Sequence, residues 1–126
     1  MEFDEFKNLH NKFSGALLTE ELLNSLEYER YSNTLDENKE FYHWTLKFEL
    51  EKASFNYENY CCPEMAYRIH ESLDDEGEID HDNLDAVIHK WSNGTYGIPI
   101  HDGGTSVITI NFCPWCGTNL DNNLNR

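Results

Sequence analysis

Four cysteines arranged in two pairs constrain this chain more than any other feature. Cys113 and Cys116 stand two residues apart within Phe112-Cys113-Pro114-Trp115-Cys116-Gly117, and Cys61 and Cys62 are adjacent. The two-residue spacing lets both thiolates of the C-terminal pair reach one ion. Gly117 permits the positive φ that aims backbone N–H groups at the sulfurs. Four thiols are the number that a closed tetrahedral zinc site requires. The sequence is therefore read as carrying a structural Zn2+ held by Cys61, Cys62, Cys113 and Cys116. Adjacent cysteines on one ion are less usual than a spaced pair, because neighbouring side chains diverge. The variant in which one of Cys61 and Cys62 is merely packed, with His70, His81 or His101 as fourth ligand, stays open.

The chain has 126 residues, which suits one domain or one domain with an N-terminal extension. At 39% hydrophobic and 13% aromatic, it has enough apolar material for a core. It holds no apolar run of about 18 residues, the length a membrane-spanning helix needs. The first residues carry Glu2, Asp4 and Glu5 rather than a basic start and an apolar stretch, so no signal peptide is expected. A cytoplasmic location is expected, where thiols stay reduced and bind metal rather than pair as disulfides.

The formal net charge is −15, from 24 acidic against 9 basic residues. Such a surface repels phosphate, and direct nucleic-acid binding is excluded as a main activity. It attracts a basic partner and speeds the encounter.

Hydrophobic periodicity places helices over residues 3–31, through Phe3, Phe6, Leu9, Phe13 and Leu17 and then Leu18, Leu22, Leu23 and Leu26. Core packing is expected of this stripe, with a break at Ser14-Gly15 and a cap at Thr19 or Ser14. Residues 41–51 alternate, with Tyr42, Trp44, Leu46, Phe48 and Leu50 between polar neighbours, and predict a half-buried strand; a helix through Phe41, Trp44 and Phe48 ranks second. Pro63 opens a short helix to about Leu73. The last third predicts a β-meander: Ala86–Trp91, an Asn93-Gly94 turn, Tyr96–Ile100, a His101–Gly104 turn, and Val107–Phe112 with Ile108, Ile110 and Phe112 on one face. The fold class is α+β: N-terminal helices plus a strand over residues 1–58, then a zinc-ribbon-like antiparallel meander with one short helix over residues 59–126, with a single shared core as the alternative.

Between the short helix and the meander lies a segment from Asp74 to Asp85 with seven acidic residues and no Lys or Arg. Gly77 and Ile79 fall where a calcium loop has its Gly and its apolar residue, but the first and twelfth positions are then Ser72 and Asn83. The segment is read as solvated or partner-facing, with Asp74, Asp75, Glu76, Glu78, Asp80 and Asp82 as the binding carboxylates.

Catalytic readings are weaker. Cys-Pro-Trp-Cys resembles a glutaredoxin active site, yet only ten residues follow Cys116, too few for the βα continuation of that fold. His101, Asp102, Thr105 and Ser106 offer the residue types of a hydrolytic site, but also those of any tight turn. No enzyme activity is expected.

Three separated motifs occur in order: Cys61-Cys62-Pro63-Glu64-Met65, then Tyr96-Gly97-Ile98-Pro99-Ile100-His101-Asp102-Gly103-Gly104-Thr105-Ser106, then Phe112 to Gly117. As a set they resemble a family of small, uncharacterised bacterial proteins with a double cysteine followed by Met, an Ile-His-Asp-Gly-Gly-Ser-Ser-like loop and a terminal Cys-Pro-Trp-Cys-Gly. The likeness covers about residues 60–120, with Thr105 where Ser is expected. It implies a zinc-ribbon-like domain with both cysteine pairs as ligands, and no activity to transfer. The expected function is that of an acidic, zinc-stapled protein that neutralises a basic partner: an immunity protein against a bacterial toxin, or a phage-type inhibitor of a nucleic-acid enzyme. Tyr28, Tyr31, Tyr57 and Tyr60 are candidate interface anchors. A structural adaptor in a bacterial assembly is the alternative, and a hydrolase using His101 and Asp102 follows at a distance.

Overall fold

The computed structural model describes residues 1–14, 17–101 and 106–120. Its elements are α1 (Phe3–Ser14), α2 (Glu20–Leu23), α3 (Leu26–Glu37), α4 (Lys39–Lys52), a 3₁₀ turn (Tyr57–Asn59), α5 (Pro63–Glu71), β1 (His89–Lys90), β2 (Tyr96–Pro99) and β3 (Val107–Ile110). The class is α+β. The chain divides into two compact units, Met1–Glu49 and Leu50–Arg126. Among the described residues no helix is long and apolar enough to cross a membrane.

In the first unit, α1 buries Phe6, Leu9, His10 and Phe13, one face at three- and four-residue steps. Thr19 caps α2 by accepting from the Leu22 N–H, and Ser25 caps α3 by accepting from the Tyr28 N–H. The core is aromatic. Phe6 stacks on Tyr31 at 5.2 Å, Phe3 on Phe41 at 4.7 Å, and Phe13 meets Tyr28 edge-on at 5.1 Å. The buried His10 Nδ1 lies 2.7 Å from the Tyr31 hydroxyl, and its Nε2 lies 3.5 Å from Glu49 Oε1. In the neutral ring with its proton on Nε2, facing that carboxylate, Tyr31 donates to Nδ1.

The strand expected over residues 41–51 is instead the middle of α4. Its residues satisfy both periods, and a cap together with packing against α1 decides for helix. Asn38 Oδ1 accepts from the Phe41 N–H at 3.1 Å and so caps α4, while its own N–H ends α3 on Thr34. Phe41 and Trp44 then pack against Phe3 and Phe6, and Trp44 against Phe48. The expected core stripe also stops early. Leu17, Leu18, Leu23 and Leu26 are exposed, and only Leu22 joins the cluster, because the short α2 presents few side chains to α1 and α3. Three of the four candidate tyrosine anchors are taken up in packing. Tyr31 is buried, Tyr28 packs on Phe13, and Tyr60 stacks on Phe55.

The second unit gathers Met65, Ile69, Ile88, Tyr96, Cys113 and Leu120 around one core, flanked by Phe55, Tyr60, Ile110 and Trp115. The sheet runs β1-β2-β3, antiparallel throughout. His89 pairs with Gly97, Tyr96 with Ile110 and Pro99 with Val107. A Cβ at Gly97 would lie 2.9 Å from the Trp91 ring, so the indole needs glycine beneath it. The first expected strand shrinks from six residues to two. The Ala86 carbonyl accepts from His101 Nε2, and the Ala86 N–H goes to Asn83, so neither is available to a ladder. The face expected of Ile108, Ile110 and Phe112 is covered only at Ile110, which is half-buried, since β3 is an edge strand; Ile108 and Phe112 are exposed. Most of the second expected turn, residues 102–104, lies outside the described residues.

Burial first, then the neighbouring Tyr28 and Glu49, push the Tyr31 phenol up to about 12. A raised folded-state value contributes stability present below the ordinary 10.0 and lost as the pH rises through the folded one. The first unit is therefore expected to melt at lower temperature as the pH climbs above 10.0. Tyr31→Phe should cost about 1–3 kcal/mol at neutral pH by orphaning His10 Nδ1, and should flatten that alkaline dependence. Thermal melts of both proteins across the range provide the check.

Candidate metal centre

The two cysteine pairs are shaped separately. Tyr60 closes the 3₁₀ turn in extended conformation, Cys61 follows, and Cys62 is extended again at φ −158° and ψ 161°. Cys62 is the N-cap of α5 and Pro63 its first residue. The Cys62 sulfur accepts from the Met65 N–H at 3.4 Å. A helix N-terminus places partial positive charge beside this thiol, which favours its anion.

The second pair sits in a tight loop after β3. The Cys113 N–H donates to the Thr118 carbonyl and the Gly117 N–H to the Cys113 carbonyl, both at 2.9 Å. The Cys113 sulfur then faces the N–H groups of Trp115 and Cys116 at 3.4 and 3.5 Å. Gly117 takes φ 78°, the left-handed turn its place in the sequence requires.

The fold brings all four thiols to one point. Cys61 and Cys116 sulfurs are 3.5 Å apart, Cys62 and Cys113 sulfurs 3.8 Å, and all four lie within 4.8 Å of one another. A tetrahedral ion with bonds of about 2.3 Å to sulfur needs edges of about 3.8 Å, so the cluster fits a soft ion of that geometry. The same distances are far beyond a disulfide bond of about 2.05 Å. Cys61 and Cys116 form the exposed rim, Cys62 is half-buried, and Cys113 is buried.

The thiols do not ionise alike. Burial pushes Cys61 up, helped by hydrogen bonding to Cys116 and Cys113. Burial also pushes Cys62 up to about 11, against the Met65 N–H. At Cys116 burial again opposes ionisation, but hydrogen bonds from Thr118 and the neighbouring thiols outweigh it and bring the group down to about 6. Cys116 is thus shifted toward its thiolate while Cys61 and Cys62 are shifted away from theirs; a divalent ion supplies the charge that lets those two ionise.

The histidines considered as a fourth ligand lie elsewhere. The His70 ring packs on Phe55 at 4.9 Å, and His101 Nε2 is bonded to the Ala86 carbonyl at 2.9 Å. His81 packs near His89, with ring centres 5.9 Å apart. Sequence reasoning did not single out His89 or Thr118. His89 is buried, and burial together with His81 and His101 holds it below the usual histidine range, against Asp80. The Thr118 hydroxyl lies 3.1 Å from the Cys116 sulfur. Its position two residues after Cys116 was the available signal.

The acidic segment is shaped by its own side chains. Asp74 Oδ1 accepts from the N–H groups of Glu76 and Glu78, and Asp80 Oδ1 from that of Asp82. Backbone bonds close it further, from the Asp74 N–H to the Glu78 carbonyl at 2.7 Å and from the Asp80 N–H to the Ser72 carbonyl at 3.0 Å. Asp75, Glu76, Glu78 and Asp82 are exposed, and among the described residues no Lys or Arg ion-pairs with them.

Cys113→Ser is expected to abolish stoichiometric metal uptake and unfold the second unit, read by elemental analysis and circular dichroism. An unchanged melt would contradict the assignment of the cluster as the unit's staple. Gly117→Ala should cost about 1–2 kcal/mol from its left-handed φ alone, because a Cβ there meets nothing within 4 Å.

Comparison with curated proteins and with solved structures gives no significant match. A family match covers residues 57–125, a stretch that includes all four cysteines as well as His81, His89 and His101. The chain belongs to the family described as a domain of unknown function, DUF6980.

Proposed function

We propose that this protein is an acidic binding module, stapled by a structural Zn2+ on Cys61, Cys62, Cys113 and Cys116, that neutralises a basic protein partner. Four thiolates complete the preferred shell of zinc and leave no position for a reacting water, which is why the ion is assigned a structural role. The observation that carries the binding role is the pre-shaped acidic loop. Asp74 and Asp80 turn the backbone, and the loop holds Asp75, Glu76, Glu78 and Asp82 outward without internal cations. A loop already ordered loses little entropy on docking, and its charge accelerates encounter with a positive surface.

The edge strand β3 adds apolar contact area. Ile108 is 55% exposed and Phe112 60%. Exposed apolar residues beside an open sheet edge suit a protein interface. A toxin or a nucleic-acid enzyme with a basic cleft is the partner class such a surface fits best. An adaptor role would use the apolar edge more than the acidic loop, and the two readings separate on salt.

The test is capture with the intact, metal-loaded protein at low ionic strength, followed by kinetics on the retained partner. The association rate should fall steeply with added salt. Reversal of Asp75, Glu76, Glu78 and Asp82 to Lys should lower it by about tenfold or more. Association indifferent to both changes would remove the electrostatic inhibitor reading and favour the adaptor.

A further inference from the structure

The second unit contains another group of metal-capable side chains, separate in sequence and chemistry from the cysteines. His89 is 3% exposed, and its Nδ1 is a buried nitrogen with no hydrogen-bond partner among the described residues. Such an atom is costly to leave unmatched, and its presence asks for a ligand. The His89 ring lines a small cavity with His81, His101, Ser106 and the apolar side of Pro99 and Val107. No cysteine borders it. The cavity volume is about 30 Å³, room for a single ion or water and too little for an organic ligand.

The tautomer of His101 matters here. Its Nε2 lies 2.9 Å from the Ala86 carbonyl, and a carbonyl can only accept, so Nε2 carries a proton and, in the neutral ring, Nδ1 keeps its lone pair. An imidazole that donates one N–H to a backbone carbonyl while offering the other nitrogen is the usual arrangement of a metal-ligating histidine. The His81 and His89 ring centres are 5.9 Å apart at 56°. Two imidazoles on one tetrahedral ion, with bonds of about 2.0–2.1 Å, put their ring centres about 5 Å apart. His81 is exposed on the loop before β1, and holding one ion together with His89 requires its ring to move toward His89.

We propose that His81, His89 and His101 form a second cation site that takes one divalent transition-metal ion through three imidazole nitrogens. Neutral nitrogen ligands of this kind suit zinc, cobalt, nickel or copper rather than calcium or magnesium. Three protein ligands leave a tetrahedral ion one position for water or an exchangeable group, unlike the closed thiolate cluster. His81 also borders a groove of about 590 Å³ lined by Tyr60, Glu78, Lys90 and Trp91.

The test uses tag-free, full-length protein carrying one equivalent of zinc, titrated with Co2+ and followed by calorimetry and visible absorption. One further equivalent should bind, with ligand-field bands and no sulfur-to-metal charge transfer. His81→Ala and His101→Ala each replace an exposed side chain and should each weaken that binding by about tenfold or more. Melting curves before cobalt addition verify that the variants are folded. The proposal is overturned if the parent protein takes no second equivalent, if the bands show sulfur ligation, or if both variants bind cobalt as the parent does.

Discussion

Four sulfur atoms are the point on which the second unit depends. Its sheet is small, with a two-residue β1 and four-residue β2 and β3, and its helix α5 has nine residues. Units of this size seldom hold a fold on apolar burial alone. The thiol cluster joins the start of α5 to the loop after β3, and the Cys61–Cys116 link spans 55 positions of the chain. A cross-link closing a loop of that length is worth about 4 kcal/mol in chain entropy when formed. Cys113 is also part of the hydrophobic core with Met65, Ile69 and Leu120, so the staple and the core are one structure.

The parts of the fold legible from sequence are those fixed by local chemistry. The Cys-Pro-Trp-Cys-Gly loop needs its glycine at positive φ and its sulfur beneath two N–H groups, and both follow from five residues. Pro63 opens α5, Thr19 caps α2, and Asn93-Gly94 joins antiparallel β1 and β2 for equally local reasons. The less legible parts turn on long-range contacts. Residues 41–51 carry apolar side chains at both two- and three-to-four-residue steps. Only the Asn38 cap and packing on Phe3 and Phe6 decide for helix. The Leu17–Leu26 stripe reads as core in one dimension, yet α2 is too short to bury it. His89 gave no signal, because an isolated histidine in a strand becomes notable only when folding places His81 and His101 nearby.

The two clusters in the second unit differ in what their surroundings allow. The thiols are presented by a helix N-terminus and by backbone N–H groups, which stabilise anionic sulfur and suit a closed shell. The imidazoles border a small cavity with an unmatched buried nitrogen, next to a larger groove. The acidic loop lies in the same unit and owes its form to Asp side chains that accept from its own backbone. Carboxylates are thus used in two ways within a dozen residues: Asp74 and Asp80 set the shape, while Asp75, Glu76, Glu78 and Asp82 present the charge.

The most direct test of the account is X-ray absorption at the metal edge of purified protein carrying a single equivalent of zinc. The account predicts a first shell of four sulfur scatterers at about 2.3 Å and none of nitrogen or oxygen. A mixed shell, or protein that retains no zinc, would contradict the four-thiolate staple on which the reading of this unit rests.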